Sequence, residues 1–299
     1  MIKKNETHEV IIQDITNQGY GLAKINGFSI FIENTLPNER VLIRIERVEK
    51  RFAFGKLLEI IEASEERVDV KDILQTRLGT MPLQHVDYAS QLKYKKQWVK
   101  DALSRYIAID ESWFQDTIGM EHPWEYRNKA QIPVREVNGL LETGFFKRGS
   151  HDLVPVENYY IQEAGIDEAI LTIRDIFRTY NLRAYDEKTG EGLLRHIIIR
   201  KGHITQEMMV ILVVNQNTLP FRDEIVQDIL EKIPNTVSIM LNINTQNTNV
   251  IMGEKQVVLF GEDTYYDKLD DLTFAISSKS FYQVNSIQTE KLYQKAIEY

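Results

Sequence analysis

A chain of 299 residues, 43% hydrophobic and 27% charged, is long enough for two or three folded domains. Its net charge of -8 argues against a dedicated nucleic-acid coat, so any grip on phosphates must come from local basic patches. There is no cysteine, which excludes disulfides, thiolate metal sites, iron–sulfur ligation and a cysteine nucleophile within these residues.

No apolar run approaches the ~20 residues that cross a bilayer, and MIKKNETHEV lacks the apolar core of a signal peptide. A cytoplasmic protein without a membrane partner is expected. Residues 8 to 62 read as short strands, with Gly19, Gly21 and Gly27 at turn positions and a turn at Leu36 to Glu39. In VLIRIERV, Val41, Ile43, Ile45 and, less cleanly, Arg47 fall on one side, and Leu42, Arg44, Glu46 and Val48 on the other. Such a run of strands suggests a small closed barrel. From Arg40 to Lys56 there are six Lys or Arg against two Glu, a face open to two readings, solvated or RNA-facing.

EASEERVDVK reads as a connector. YASQLKYKKQWVKDALSRY has helical spacing at Leu92, Trp98, Val99, Ala102, Leu103 and Tyr106, with lysines on the exposed side. Residues 124 to 156 return to strands around a hairpin signal at Asn138-Gly139. There Trp124, Tyr126, Arg127, Lys129, Phe145, Phe146, Lys147 and Arg148 interleave aromatic and basic side chains, a pattern able to stack on unpaired bases while holding phosphates. QEAGIDEAILTIRDIFRTYNL is an amphipathic helix. LLRHIIIRKG, EMMVILVVN, VSIMLNINT and VVLFG are β-forming, with IVQDILEKI a helix between the second and third, so an α+β or α/β domain is expected. Gly190 and Gly192 precede a strand and read as a turn, not a phosphate cradle. FAISSKSFYQVN leads into a final amphipathic helix, with Asn285 and Gln288 as a capping box. The histidines show no zinc pattern, and no nucleophile motif is present. Pattern alone gives domains with basic-aromatic surfaces and no reaction.

In chain order, GYGLAKINGFSIFIENTLPNERVLIRI, LQHVDYASQLKYKKQWVKDAL, EYRNKAQIPV with GFFKRGSHDLVPV, LLRHIIIR and FAISSKSFYQVN form a series that resembles the RNA (uracil-5-)-methyltransferase family, whose members make 5-methyluridine in ribosomal or transfer RNA. The resemblance implies a multi-domain fold class: an N-terminal OB-like all-β TRAM barrel over residues 1–62, a central α+β RNA-binding domain over 63–270, and the start of a Rossmann-like α/β methyltransferase domain over 271–299. It places the helix near 88–106 against the methyltransferase domain.

It also implies S-adenosyl-L-methionine as cofactor, contacted by Gln283, with Phe281 and Asn285 shaping the same pocket or Asn285 capping the helix instead. Many family members hold an iron–sulfur cluster on four cysteines. Here the corresponding position reads LGTM, Leu78 to Met81, so no cluster is expected. The family adds a thiolate to C6 of a uracil taken out of its stack, which makes C5 reactive. No catalytic residue for that step lies in this chain. The cysteine, the base and the glycine-rich cofactor loop are expected beyond Tyr299, in a longer protein of which this piece alone is inactive. The RNA partner is expected to be 23S ribosomal RNA, with transfer RNA as the alternative substrate. Candidate contacts are Arg127, Lys129, Lys147 and Arg148 in the central domain and Arg44, Arg47, Lys50 and Arg51 in the barrel, each of which reads equally as a solvated charge. A non-catalytic TRAM adaptor and an unrelated α/β enzyme are the rival classes.

Overall fold

The computed structural model describes residues 2–147 and 150–299, and contacts divide the chain into two compact units, Met1–Gly119 and Met120–Tyr299. The N-terminal unit holds strands β1 (Thr7–Ile11), β2 (Asp14–Ile15), β3 (Tyr20–Ile25), β4 (Phe28–Glu33), β5 (Arg40–Val48) and β6 (Phe52–Glu62) in one sheet of order β1-β5-β6-β4-β3-β2. β1 and β2 are neighbours in sequence yet stand at opposite ends of that order, so the sheet must roll until its ends meet. The linking residues join them: Ile12 N donates to Glu39 O (2.9 Å) on the β5 side, and Gln13 N donates to Leu22 O (2.7 Å) on the β3 side. Ile30, Ile32, Val41, Ile43 and Ile45 fill the inside at alternate positions. The alternation breaks after Ile45. A bulge between Ile45 and Arg47 turns Arg47 outward, although strict period two would bury it.

A buried ion pair ties the barrel to the connector on its C-terminal side. The Glu39 side chain, 0% exposed, accepts from Leu36 N (2.9 Å), Ser64 N (3.3 Å), Arg67 Nε (2.5 Å) and Arg67 Nη2 (2.9 Å). Helices α1 (Ile73–Leu78) and α2 (Tyr88–Ser104) come next. α2 starts at Asp87, which accepts from Ser90 N at 3.0 Å. Trp98 Nε1 donates to Ile15 O (2.9 Å), and Tyr94 and Trp98 pack on Ile15, Leu36 and Val86. One face of this helix is thus seated on the barrel side of the N-terminal unit.

The second unit is built on a seven-stranded sheet. Its strands are β7 (Lys129–Val137), β8 (Leu140–Phe146), β9 (Leu153–Pro155), β10 (Leu194–Lys201), β11 (Met208–Val214), β12 (Thr236–Ile243) and β13 (Lys255–Gly261), in the order β13-β12-β11-β10-β7-β8-β9. β7 and β8 form the hairpin expected at Asn138-Gly139, both with positive φ (53° and 80°), as a type I′ turn requires. Helix α3 (Ile166–Thr179) packs on β8 and β10, and α4 (Arg222–Lys232) crosses between the parallel strands β11 and β12. Every residue of β10 and β11 is buried. A hairpin of β14 (Thr264–Leu269) and β15 (Leu272–Ser277) brings Tyr265 and Ile276 onto Ile198, Met209, Ile211 and Val213. Helix α5 (Ser286–Glu298) is the last element. The expected domain ends at 62 and 270 lie inside the two contact units, which divide after Gly119. Leu269 pairs with Leu272, so a boundary at 270 would cut the β14–β15 hairpin.

Glu39→Ala should cost about 3 kcal/mol in urea denaturation, because it strips the half-buried Arg67 of its carboxylate and leaves it only the Asn34 carbonyl. Arg40→Ala, whose pairs with Glu9 and Glu62 are exposed, should cost far less. His85 is fully buried, and burial first, then Arg67, lowers its pKa to about 4. The unfolded imidazole takes up a proton below about 6.5 and the folded one does not until about 4, so stability should fall as pH drops through that window. His85→Gln should flatten the slope there by up to about 1.4 kcal/mol per pH unit.

Candidate functional site

After β15 the chain leaves the sheet and runs irregularly to α5. Three polar anchors fix this stretch. Arg200, 1% exposed, donates from Nη1 to the carbonyls of Ser277, Ser278 and Ser280, each at 2.9 Å, and its guanidinium lies 5.8 Å from the Tyr265 ring centroid. Asn128, buried, donates from its backbone N to Val284 O (2.9 Å) and from Nδ2 to Gln283 O (3.0 Å) and Ser286 Oγ (3.0 Å). Tyr282 OH donates to Oδ2 of the buried Asp267 (3.2 Å), whose Oδ1 accepts from Ile204 N (2.9 Å). Burial, and then the Asp267 carboxylate, raise the Tyr282 phenol above its usual range, so it stays a donor.

The consequence is a fixed backbone with spare side chains. Gln283 is half-buried, and among the described residues its amide makes no hydrogen bond within the protein. Phe281 is 85% exposed. Asn285 is the helix cap: Oδ1 accepts from Gln288 N (3.0 Å), its carbonyl accepts from Thr289 Oγ1 (2.7 Å), and Nδ2 donates to Met120 Sδ (3.2 Å). Its side chain is therefore spent at both ends, which leaves the Gln283 amide and the Phe281 ring as the uncommitted side chains of the stretch among the described residues.

Lys129, adjacent to Asn128, is half-buried. Burial, then Arg200, then Arg127 lower its pKa. Among the described residues no carboxylate pairs with Lys129 or Arg127, so an anion here would be favoured by all three cations. Lys147 is exposed at the end of β8, which returns antiparallel to the start of β7. Arg148 lies outside the described residues.

On the barrel, Arg44, Arg47, Lys50 and Arg51 are all exposed. The Arg47 guanidinium lies 4.4 Å from the centroid of Phe54. Phe54 belongs to an array with Tyr20, Phe31 and Phe52, on strands β3, β4 and β6, whose neighbouring rings lie 5.5–6.5 Å apart. These rings are half-buried and pack on one another, with the Arg47 guanidinium over one of them. Reading cations alone missed them. The signal was there: Phe31 alternates with the buried Ile30 and Ile32, and Phe52 and Phe54 flank the buried Ala53, so all three point outward.

Residues 3–58 match the TRAM domain family. The chain is 48% identical over 298 residues to an uncharacterized RNA methyltransferase of Enterococcus faecalis and 46% identical over 297 residues to one of Lactiplantibacillus plantarum. These alignments take in 100% and 99% of this chain but 65% of each relative, so the chain spans about two thirds of their length. It superposes on the crystal structure of the Pyrococcus abyssi tRNA (uracil-54, C5)-methyltransferase in complex with S-adenosyl-L-homocysteine, with a TM-score of 0.73 over 97% of this chain and 64% of that one. At 22% identity that likeness speaks to the fold. The multi-domain fold class is borne out, and so is the resemblance: a TRAM domain is present and the homologues are named RNA methyltransferases.

Asn128→Ala should lower stability by about 1–3 kcal/mol, since Gln283 O and Ser286 Oγ lose their donor. Amide exchange should accelerate over residues 283–289 and stay unchanged in the barrel, as read by hydrogen exchange.

Proposed function

We propose that this chain is the RNA-holding and cofactor-edge part of a cytoplasmic, S-adenosyl-L-methionine-dependent RNA (uracil-5-)-methyltransferase that forms 5-methyluridine in 23S ribosomal RNA. One observation carries the reading. Gln283 has its main chain pinned by Asn128 and its amide unspent, and Asn128 adjoins a half-buried lysine surrounded by cations. An amide offers an acceptor and two donors, which fits the amino and carboxylate groups at the methionine end of the cofactor. When bound, S-adenosyl-L-methionine supplies a methyl group on a sulfonium. Phe281 borders the same place.

Activation of the uracil ring is assigned elsewhere. C5 is a poor nucleophile until a thiolate adds at C6, and none of the 299 residues is a cysteine. The proposal gives the thiolate and the base to a segment outside this chain, consistent with relatives of which it spans 65%. The same lack of thiolates leaves nothing to hold an iron–sulfur cluster. To these residues it gives the presentation of RNA: Arg127, Lys129 and Lys147 on the sheet unit, and Arg44, Arg47, Lys50 and Arg51 around the aromatic array on the barrel. Two separate cationic surfaces suit a large folded RNA.

Salt-dependent binding to unpaired RNA tests the reading. Replacing Arg127 and Lys129 together by Ala should weaken binding and flatten the log–log salt slope by about 1.4, two single-strand phosphate contacts. With RNA and S-adenosyl-L-methionine the 299-residue chain should make no 5-methyluridine, whereas a protein extended to its relatives' length should. Absence of RNA binding at low salt, or turnover by the 299 residues alone, would overturn the proposal.

A further inference from the structure

The strip that begins at the clamp continues along the sheet. On β7, Lys129, Gln131 and Pro133 stand opposite Arg200, Ile198 and His196 of β10. Paired residues share a face, so His196 and Pro133 lie on the same face as Arg200 and Lys129, four residues on, about 13 Å. At that point the sheet opens into a cleft of about 350 Å³, within the ~300–1,000 Å³ of small-ligand sites. Pro133, Phe145, Phe146, Val250 and Ile251 give it apolar walls, and Gln131, Asn249, Arg195 and His196 bring polar groups.

The cleft contains a stack that lacks its last layer. Phe146 and His151 lie ring on ring, 5.3 Å between centroids and 21° between planes, and the Arg135 guanidinium is 5.1 Å from the Phe146 centroid. Glu187 holds the assembly: it pairs with Arg135 and accepts from His151 Nδ1 at 2.6 Å. The His151 side chain is 56% exposed, so the imidazole is pinned yet open to solvent. His196, 9% exposed, has a buried Nδ1 with no partner among the described residues.

Charge decides what could enter. Arg195 spends Nη1 on the carbonyls of Asn244 and Gln246, both at 2.7 Å, and lies 4.3 Å over Tyr185. Arg135 is neutralised by Glu187. A neighbouring cleft of about 500 Å³ shares Arg135, His151 and Glu187 and carries Glu136, Asp152, Asp186 and Glu191. Among the described residues Arg195 is the one lining arginine without a carboxylate, its Nη1 is spent on carbonyls, and in the neighbouring cleft carboxylates outnumber cations, so a phosphate is disfavoured inside. A neutral flat ring is not. Lys147, next after Phe146 and exposed, is placed to hold the phosphate of the same nucleotide outside.

The geometry points to this cleft as a subsite for one unpaired nucleobase of the bound RNA, stacked on His151 as the outer layer of the Phe146–His151 pair, about 13 Å along the sheet from Lys129. The inference rests on the RNA reading above and deepens it: the sheet unit grips a splayed second base as well as phosphates.

The 299-residue chain would be titrated at low salt with a single-stranded RNA of about ten nucleotides carrying one 2-aminopurine, moved through successive positions. Binding should quench the fluorophore strongly at a restricted set of positions. His151→Ala, at an exposed side chain that the fold does not need, should abolish that quench and weaken binding about tenfold, the scale of one base–aromatic stack. Its salt slope should equal that of the unaltered chain, because no phosphate contact is lost. Phe146→Leu, which keeps apolar volume, should act in the same direction. Tight, salt-dependent binding with the quench unchanged in both variants would overturn the subsite and leave the RNA reading standing. Absence of binding by the unaltered chain would overturn both.

Discussion

A buried guanidinium bonded to main-chain carbonyls is the constraint on which the rest of the sheet unit depends. Arg200 sits one residue from the end of a strand whose eight residues are all buried, and its partners are three carbonyls and an aromatic face, not a carboxylate. Charge in such a place is tolerable only if those acceptors stay where they are. The requirement works in both directions. The loop after β15 satisfies Arg200, and Arg200 denies that loop other conformations. Asn128 does the same from the neighbouring strand, with a backbone and a side-chain donor on consecutive residues of the same stretch. The irregular run from Ser277 to Asn285 is thus held at both ends by buried strands.

The electrostatic consequence reaches beyond the loop. Burial first, then the neighbouring Arg200 and Arg127, disfavour Lys129 as a cation. Three cations without a carboxylate form a local field that the overall charge of -8 does not reveal. Net charge describes solubility and long-range steering, whereas a half-buried cluster is screened less and acts at contact. An acidic chain can therefore hold an anion firmly at one spot and repel nucleic acid elsewhere. The acidic cleft around Glu136 and Glu191 is one place on the same unit where repulsion is expected.

Where period and turn chemistry dominate, the sequence was legible. Val41, Ile43 and Ile45 are buried as their alternation requires, Asn138-Gly139 turns the hairpin, and Asn285 caps the last helix. Reading failed where tertiary contacts override local preference. Arg47 escapes its parity through a bulge, which leaves no mark on composition. The strand Thr264–Leu269 went unread because its residues alternate only weakly, and its pairing with Leu272–Ser277 supplies what the pattern lacks. Arg200 and Asn128 were invisible for a different reason. An arginine or asparagine next to a β-run is ordinarily a surface residue, and only the complete fold shows carbonyls arriving to meet them. Of the candidate site, Arg127 and Lys129 were singled out by their pattern and Gln283 by the family resemblance, whereas the groups that position them were not singled out at all.

On the proposed reading the two units would meet flat rings by different means, and the difference bears on how firmly RNA would be held. The barrel offers a convex array of four aromatic rings with cations at its edge, tolerant of any base because every base has a π-face. The sheet unit offers a concave cleft and a buried cation cluster, which are selective in shape but small in area. Neither surface carries enough unpaired cations to hold RNA tightly alone. They are joined in one chain, so engagement of one raises the effective concentration of RNA at the other, and two modest affinities multiply without any new contact. On that argument the barrel supplies residence time and the sheet unit supplies register, and separating them should reduce affinity by more than either surface contributes by itself.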